Sequence, residues 1–373
     1  MTQNNFKDIS PYTDEDVKRV LPKMVKEPAF LKLVQSINPK ITQEMLLAQI
    51  DHVDTILGFQ KQFITPIVDS VLYKSIDKLT YSGLENLSKD KAYLFLSNHR
   101  DIILDSTLLN YILINSGFNS TQMAIGDNLL LQPWITDFFK LNKSFIVKRG
   151  LPGRELLKAS KKLSQYIAHI INEKKESVWI AQREGRTKDG HDATQPGLLK
   201  MFAMADAKNF REGILSLNIV PVALSYQYEP CDQLKAKEVY KLEKGTFKKG
   251  PKADLLSMLT GIRQQKGNVH IAIGAPLNHC LESFGEGLSK NEFFKATTDL
   301  IDEKIYQLYR LWNTNYIAWD LQNESDRYSD NYSVEEKEAF VTYLDKLCET
   351  VPQIRDYLLT IYAGPVNTRQ SVS

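Results

Sequence analysis

The sequence has few cysteines and no long apolar run. Its 373 residues include three cysteines, Cys231, Cys280 and Cys348, and none of them belongs to a C-x-x-C pair. Scattered cysteines of this kind argue against structural disulfides and against a zinc cluster, and they favour a reducing compartment. No stretch reaches the roughly 18 uninterrupted apolar residues that a membrane-spanning helix needs.

Targeting and charge signals are equally sparse. The first residues, "MTQNNFKDISPYTDEDVKR", are polar and acidic, unlike a signal peptide. We therefore expect a cytoplasmic protein, either soluble or peripheral on the inner face of the membrane. The net charge is only +2, so no nucleic-acid partner is expected. The 43% hydrophobic and 25% charged residues are ordinary for a globular protein with a core. The length of 373 residues allows one large domain plus an extra piece, or two domains.

Several familiar catalytic motifs are missing. The sequence has no G-x-S-x-G elbow, and its "GTFKKGPK" stretch is no phosphate-binding loop because Pro251 stands where the motif needs lysine. No metal and no resident cofactor are expected, because five histidines lack metal-ligand spacing; these are His52, His169, His191, His270 and His279.

Hydrophobic periodicity divides the chain into three parts. Residues 1–80 show apolar residues at helical spacing and predict a helical N-terminal subdomain. Residues 81–290 alternate short strand-like runs with helical segments, which predicts an α/β domain with a mainly parallel mixed sheet flanked by helices. Residues 291–373 predict a C-terminal helical extension that ends in a loose tail from residue 367.

Ligands of an α/β sheet bind beyond the carboxyl ends of the strands, and polar residues follow the run "LFLS" at 94–97. His99 is suited to accept a proton at neutral pH, and a nearby carboxylate, Asp105 or Asp101, can fix its tautomer. The structural alternative is that His99 only donates hydrogen bonds at a strand end and that Asp105 only caps a helix.

Two further strand ends carry cations. "FIVKRG" ends in Lys148 and Arg149, which suit a phosphate but also occur as solvated surface pairs. "WIAQREGRTKDG" gathers charged groups around a glycine that allows close approach of a ligand; its candidates are Glu184, Gly185, Arg186 and Lys188. A charged turn ending at Asp189-Gly190 is the structural alternative. In "IVPVALSYQYEP", Pro221 predicts a bulge or a shaped wall.

Taken in this order, the stretches resemble the glycerolipid acyltransferases. "NHRDIILD" looks like the family's first block, an Asn-His followed by an Asp, and "FIVKRG" is similar to its second, Phe-Ile-x-Arg. "EGRTKDG" resembles the Glu-Gly-x-Arg block, and "IVPVAL" the Val-Pro-Val strand. The resemblance covers roughly residues 82–280. The blocks look closest to the bacterial glycerol-3-phosphate branch, while the helical N-terminal part looks like the soluble chloroplast enzymes.

Two spacings depart from the family pattern. Five residues separate His99 from Asp105, where the family usually has four, and Arg186 follows Glu184-Gly185 without an intervening residue. Either the two turns are remodelled by one residue each or the active site is degenerate. We favour remodelling because the charged groups all persist, and we favour Asp105 over Asp101 because the apolar helix begins directly after it.

The resemblance implies an enzyme that moves a fatty acyl group from acyl-CoA or acyl-carrier protein to a hydroxyl of glycerol 3-phosphate or its lyso derivative. His99 would be the general base and Asp105 its partner, while Arg149, Arg186 and the lysines would hold the phosphate. Glu184 would hold the acceptor's other hydroxyl or brace an arginine. The implied partners are the acyl donor and a phospholipid surface. The alternatives are another lipid hydroxyl as acceptor, or a non-catalytic lipid-binding module, which would leave His99 and Asp105 too far apart to hydrogen-bond.

Overall fold

A seven-stranded sheet forms the centre of the protein. The computed structural model describes residues 3–37, 39–206, 208–250 and 252–372. The strands are β1 Lys78–Ser82, β2 Leu94–Ser97, β3 Gln122–Gly126, β4 Ser144–Val147, β5 Val178–Ala181, β6 Ile219–Tyr226 and β7 Asn268–Ile273. Their order is β1-β7-β6-β2-β5-β3-β4. Every neighbouring pair is parallel except β6 with β7, so the predicted α/β fold with a mainly parallel mixed sheet is confirmed.

Helices surround this sheet on both sides. Those that precede β3 are α1 Asp14–Val25, α2 Pro28–Ile37, α3 Gln43–Ile50, α4 Ile56–Phe59, α5 Thr65–Ser75 and α6 Leu104–Asn115. Those up to β7 are α7 Pro133–Leu141, α8 Gly153–Asn172, α9 Pro196–Phe202, α10 Phe210–Leu215, α11 Asp232–Glu243 and α12 Ala253–Arg263. The last are α13 Asn278–Glu282, α14 Lys290–Leu308, α15 Asn313–Gln322, α16 Val334–Cys348 and α17 Arg355–Gln370. No helix among the described residues is long and apolar enough to cross a bilayer.

The central strands are buried from end to end. All residues of β2 and β6 are buried, and Leu94 of β2 pairs with Val178 of β5 on one side and Ile219 of β6 on the other. Strands covered on both faces have continuous apolar sequences instead of alternating ones. This is why "LFLS" and "IVPVAL" lack the period of two that marks a half-exposed strand.

Pro221 does not produce the predicted bulge. It pairs with Leu96 in unbroken register, and the antiparallel ladder to β7 starts one residue later, at Val222 opposite Ile273. The Pro221 carbonyl accepts a hydrogen bond of 2.8 Å from the amide of Gly274. A Cβ on Gly274 would lie 2.7 Å from Pro221 Cγ. The proline therefore fits a central strand, because it lies at the end of the β6–β7 ladder and the neighbouring Gly274 leaves room for its ring.

The N-terminal helices have a core of their own. Phe30 and Phe59 are buried there against aromatic side chains of α7, including Phe138. Helix α1 begins after Thr13, whose backbone amide donates to Asp16 Oδ2 at 3.1 Å. Strand β1 begins at Lys78, three residues before the predicted start of the α/β domain at residue 81. The limits of the three predicted domains stay predictions.

The C-terminal helices pack on the sheet domain. Phe293 and Ile301 of α14 share one core with Leu96 and Ile180 of the central strands. The predicted loose tail is wrong for residues 367–370, which continue α17, and the Arg369 guanidinium donates to the carbonyl of Tyr306 at 2.8 Å. Ser373 lies outside the described residues.

Candidate active site

His99 and Asp105 meet in the turn between β2 and α6. His99 Nδ1 lies 2.9 Å from Asp105 Oδ2, and the Asp105 side chain is fully buried while the His99 side chain is 14% exposed. The imidazole packs edge-on against Trp179, with 6.1 Å between ring centroids. The backbone amide of Thr187 donates to the His99 carbonyl at 2.9 Å. The turn thus accommodates the five intervening residues and still closes the contact.

The Asp105 carboxylate receives more donors than a helix cap needs. Its Oδ2 also accepts from the backbone amides of Arg100 at 2.6 Å and Asp101 at 2.9 Å, and its Oδ1 accepts from the Tyr226 hydroxyl at 2.9 Å. With Oδ2 as the acceptor, His99 donates its Nδ1 proton to Asp105 and keeps the lone pair on Nε2.

Asp101 has a different place. Its Oδ1 caps α6 by accepting from the amides of Ile103 and Leu104, both at 2.8 Å. Its Oδ2 is buried with no hydrogen-bond partner among the described residues. Burial and the neighbouring Asp105 carboxylate raise the pKa of Asp101. The structure therefore brings Asp105, and not Asp101, to the histidine.

The other predicted residues line one cavity with His99. This cavity has a volume of about 1190 Å³ and lies at the carboxyl ends of β2, β4 and β5. Its lining includes every predicted residue except Asp105, namely His99, Lys148, Arg149, Glu184, Gly185, Arg186 and Lys188. A second part of the wall is apolar, formed by Leu129, Ile146, Leu163, Leu198 and Met201. The cavity can hold an anionic head and an apolar chain together.

Arg149 lies over Gly126 at the end of β3. Its backbone amide donates to Asp127 Oδ1 at 3.2 Å, and its Nη1 lies 3.6 Å from Glu184 Oε1. A Cβ on Gly126 would lie 2.6 Å from Arg149 Nε, so the glycine leaves room for the guanidinium. Arg149 Nε is buried without a hydrogen-bond partner among the described residues. Lys148 is exposed beside it.

The loop after β5 supplies the remaining cations. Arg186 Nη2 donates to Ser257 Oγ of α12 at 3.0 Å, whereas its Nη1 is buried with no partner in the described ranges. Lys188 Nζ lies 2.6 Å from Glu238 Oε1 of α11. Gly185 has φ of +76°, a conformation that favours glycine. Of the two cations, Arg186 has unused hydrogen-bonding capacity at Nη1, while Lys188 already has a carboxylate.

Sequence reasoning missed a buried charge network behind His99. Arg100 Nη2 lies 2.5 Å from Asp192 Oδ2, and its Nη1 lies 3.4 Å from Glu229 Oε2. Lys235 Nζ lies 2.5 Å from Glu229 Oε1 and donates to the Arg100 carbonyl at 2.7 Å. Although burial opposes it, the carboxylates of Asp192 and Glu229 raise the pKa of Arg100. Buried charges need such partners, and the network fixes the turn that carries His99.

The C-terminal helices complete this network. The Tyr309 hydroxyl, just after α14, donates to Asp192 Oδ2. The Tyr362 hydroxyl of α17 accepts from the amide of Glu229 at 3.0 Å and donates to Asp232 Oδ2 at 2.7 Å. No motif in the sequence links these tyrosines to His99, because they lie more than 200 residues further along the chain.

Helix α17 also carries the loop that holds Arg186. Gly190, at φ +73°, sits against Gly364, and a Cβ on Gly364 would lie 2.5 Å from the carbonyl carbon of Gly190. The two backbones approach this closely only because neither residue has a side chain. The loop is therefore positioned by a helix outside the α/β region.

Among the described residues, no three His, Cys, Asp or Glu side chains are grouped as a metal site requires. The chemistry available at the cavity is that of a histidine base beside two arginines. Such a set can remove a proton from a hydroxyl and hold an anion next to it.

Known proteins share the α/β region. Residues 78–225 match the family model described as Acyltransferase. A glycerol-3-phosphate acyltransferase of Pseudomonas syringae pv. syringae is 24% identical over 250 residues, which cover 63% of this chain and 28% of that protein. Another, from Colwellia psychrerythraea, is 25% identical over 211 residues, which cover 56% of this chain and 24% of that protein. The aligned part is thus about a quarter of the length of these curated relatives.

Among solved structures, the 1-acyl-sn-glycerophosphate (LPA) acyltransferase PlsC from Thermotoga maritima aligns with a TM-score of 0.42. The alignment has 13% sequence identity and covers 80% of this chain and 99% of that chain.

Proposed function

Because residues 78–225 belong to the glycerolipid acyltransferase family, we propose that the protein is an O-acyltransferase. It moves a fatty acyl group from an acyl thioester to a hydroxyl of glycerol 3-phosphate or its lyso derivative. The observation that carries this proposal is the 2.9 Å contact between His99 Nδ1 and Asp105 Oδ2 at a cavity that also holds Arg149 and Arg186.

The proposed reaction is a direct transfer. His99 Nε2 takes the proton of the acceptor hydroxyl while the oxygen forms a bond to the thioester carbonyl carbon. The tetrahedral intermediate then breaks its C–S bond, and the thiol leaves with the proton that His99 accepted. Asp105 stabilises the imidazolium between these steps. General-base catalysis of this kind contributes about 10²–10⁴-fold to a rate.

The phosphate of the acceptor is assigned to the arginines. Arg149 Nε and Arg186 Nη1 are buried donors without partners among the described residues, and a phosphate oxygen would satisfy both. Lys148 and Lys188 support them, the latter less because Glu238 already pairs with it. The distance of 3.6 Å from Glu184 to Arg149 favours Glu184 as a brace of that arginine over a role as hydroxyl ligand.

The acyl chain is assigned to the apolar wall. Ile146, Leu163 and Met201 are buried side chains of the sheet core that also face the cavity. The donor is acyl-CoA or acyl-carrier protein, and the enzyme needs no resident cofactor in this scheme. Its place of action is the cytoplasmic side of a phospholipid membrane, since one substrate carries a fatty chain and the product is a lipid.

The test is acyl transfer from a labelled acyl thioester, assayed separately with glycerol 3-phosphate and with lysophosphatidate. Wild type is compared with His99→Ala and with His52→Ala, a matched change at an exposed histidine of the N-terminal helices. We expect labelled lipid from one acceptor, abolished by His99→Ala and unchanged by His52→Ala. Thiol release without use of either acceptor would point to another lipid hydroxyl. A folded wild type without any turnover would contradict the proposal and favour a lipid-binding module.

A further inference from the structure

Two largely exposed segments contribute side chains to the cavity lining. In the first, residues 153–158 at the start of α8, every residue is exposed, and Leu156 and Lys158 line the cavity. The second consists of residues 241–250 and 252–256, where Lys241, Phe247 and Leu256 also line the cavity. We call these two segments together the cavity rim.

The rim is strongly basic in a chain that is nearly neutral. It contains seven cations and three carboxylates, a net charge of +4, whereas the whole chain has a net charge of +2. Two of the carboxylates are already engaged, since Asp254 pairs with Lys249 at 2.8 Å and Glu243 accepts from the Tyr357 hydroxyl. The rim therefore presents an excess of positive charge to whatever covers the opening.

The charge of the first segment is placed against the preference of its helix. Arg154 and Lys158 lie in the first two turns of α8, where the helix dipole favours acidic side chains and disfavours cations. Both side chains are exposed, and Glu155 is the one acidic side chain in the first turn of α8. An anion outside the protein would offset this cost.

Apolar side chains accompany the cations. Leu156 and Leu157 are 44% and 59% exposed, and Leu242 and Leu256 are 52% and 54% exposed. Leucines interleaved with lysines at an exposed surface are the pattern of proteins that bind at the boundary between lipid headgroups and acyl chains. Because these leucines are exposed on two segments that contribute to the lining of one cavity, they are available to a surface that covers it.

We propose that the cavity rim is the face by which this protein docks on an anionic lipid bilayer, with the four leucines at the acyl-chain boundary and the cations among the headgroups. The proposal rests on the acyltransferase function, because the cavity then opens directly onto the membrane that receives the product. A bilayer fits better than an acidic carrier protein. A globular partner seated on both segments would close the opening through which acceptor and product pass.

The experiment measures binding to vesicles without any substrate. Wild type is sedimented with phosphatidylglycerol–phosphatidylcholine vesicles and with phosphatidylcholine vesicles alone. The rim variants are Arg154→Gln/Lys244→Gln/Lys248→Gln and Leu157→Gln/Leu242→Gln. Their matched controls, Lys23→Gln/Lys26→Gln and Leu57→Gln, change exposed residues of the N-terminal helices.

Wild type should bind the anionic vesicles and not the neutral ones. Each cation near an anionic surface contributes about fivefold to binding, so the triple variant should lose about 100-fold at low salt. The leucine variant should lose roughly 10-fold through reduced insertion, and both controls should bind as wild type does. The proposal is overturned if wild type ignores anionic vesicles or if the rim variants bind as well as the controls.

Two further arms separate the explanations. If purified acyl-carrier protein binds the rim and vesicles do not, the occupant is the carrier and the bilayer proposal is wrong. Turnover of a soluble short-chain acyl-CoA with glycerol 3-phosphate, measured without vesicles, tests the acyltransferase function separately. Rim variants that lose vesicle binding and keep this turnover support the docking face. Vesicle binding by a wild type without turnover would contradict only the proposed chemistry.

Discussion

Substitution of Gly364 by alanine tests whether α17 positions the loop that carries Arg186. In the native structure, an added Cβ would lie 2.5 Å from the Gly190 carbonyl carbon and 2.6 Å from its Cα and oxygen. Cβ atoms almost never approach other atoms closer than 3.0 Å. The obstacle is backbone, which cannot rotate away as a side chain can. The loop must therefore withdraw from the helix by at least about half an ångström.

Both stability and substrate binding should change. Overpacking of this kind costs about 1–3 kcal/mol of unfolding free energy, which lowers Tm by about 2–4 °C for each kcal/mol. Gly190 follows Arg186 by four residues, so the shift reaches the guanidinium that we assign to the acceptor phosphate. A misplacement of 1 Å costs up to about 100-fold, and we expect about a 10-fold rise in KM for glycerol 3-phosphate.

The assay combines thermal unfolding with steady-state kinetics. Gly285→Ala is the matched control, because a Cβ there has no atom within 4 Å and the residue has no positive φ. Gly190→Ala should be worse than Gly364→Ala, since its φ of +73° adds backbone strain to the clash. A Gly364→Ala protein with the Tm and KM of Gly285→Ala would refute the reasoning.

Four further outcomes follow from the geometry. Asp105→Asn should lower kcat about 10²–10⁴-fold with little change in KM, because the imidazolium loses its counter-charge while the binding groups stay in place. A near-normal kcat would contradict the assigned role of Asp105 as the partner of His99. Arg186→Lys should raise the KM for the acceptor at least about 10-fold in the same assay, and Lys188→Ala should raise it much less, since Lys188 is paired with Glu238. Arg100→Leu should lose about 3–5 kcal/mol in urea unfolding, because it leaves Asp192 buried without its cation and Glu229 with Lys235 alone. Burial raises the pKa of Asp302 from 3.8 to about 6, so the folded state retains a proton that the unfolded state releases. The unfolding free energy contributed by this group should therefore fall as pH rises from about 4 to 6. Asp302→Asn should remove that slope in urea titrations.

Local patterns were sufficient for most of the sheet. The quoted runs "LFLS", "FIVKRG", "WIAQREGRTKDG" and "IVPVALSYQYEP" all overlap strands of the sheet, because each begins with apolar residues that can be recognised by themselves. Strand β1 was missed since "KLTYS" is a half-exposed edge strand whose only partner in the sheet, β7, is nearly 190 residues away. Helix α11 was missed because "DQLKAKEVYKLE" is rich in charge and offers no clear apolar stripe.

The same contrast between local patterns and contacts with distant residues applies to the candidate active site. The grouping of His99 with Arg149 and Arg186 was expected, because the carboxyl ends of neighbouring parallel strands meet at one edge. The sequence favoured Asp105 over Asp101 because the apolar helix begins directly after it, and the structure places Asp105 against His99. Arg100 and Asp192 were missed because each looks like a surface charge until a partner 92 residues away is brought next to it. The assigned roles of these residues stay predictions.

The contacts of Tyr309 and Tyr362 with Asp192 and Glu229 set the order in which the protein can become active during synthesis. A ribosome that has released residues 78–225 has released His99, Asp105 and both arginines, yet the two tyrosines are still to be translated. Until they arrive, the Asp192 carboxylate lacks the Tyr309 hydroxyl that donates to it, and the backbone amide of Glu229 lacks its acceptor on Tyr362. A product truncated near residue 290 therefore contains every residue assigned to the proposed chemistry, and we expect it to be inactive because the turn that carries His99 lacks these contacts.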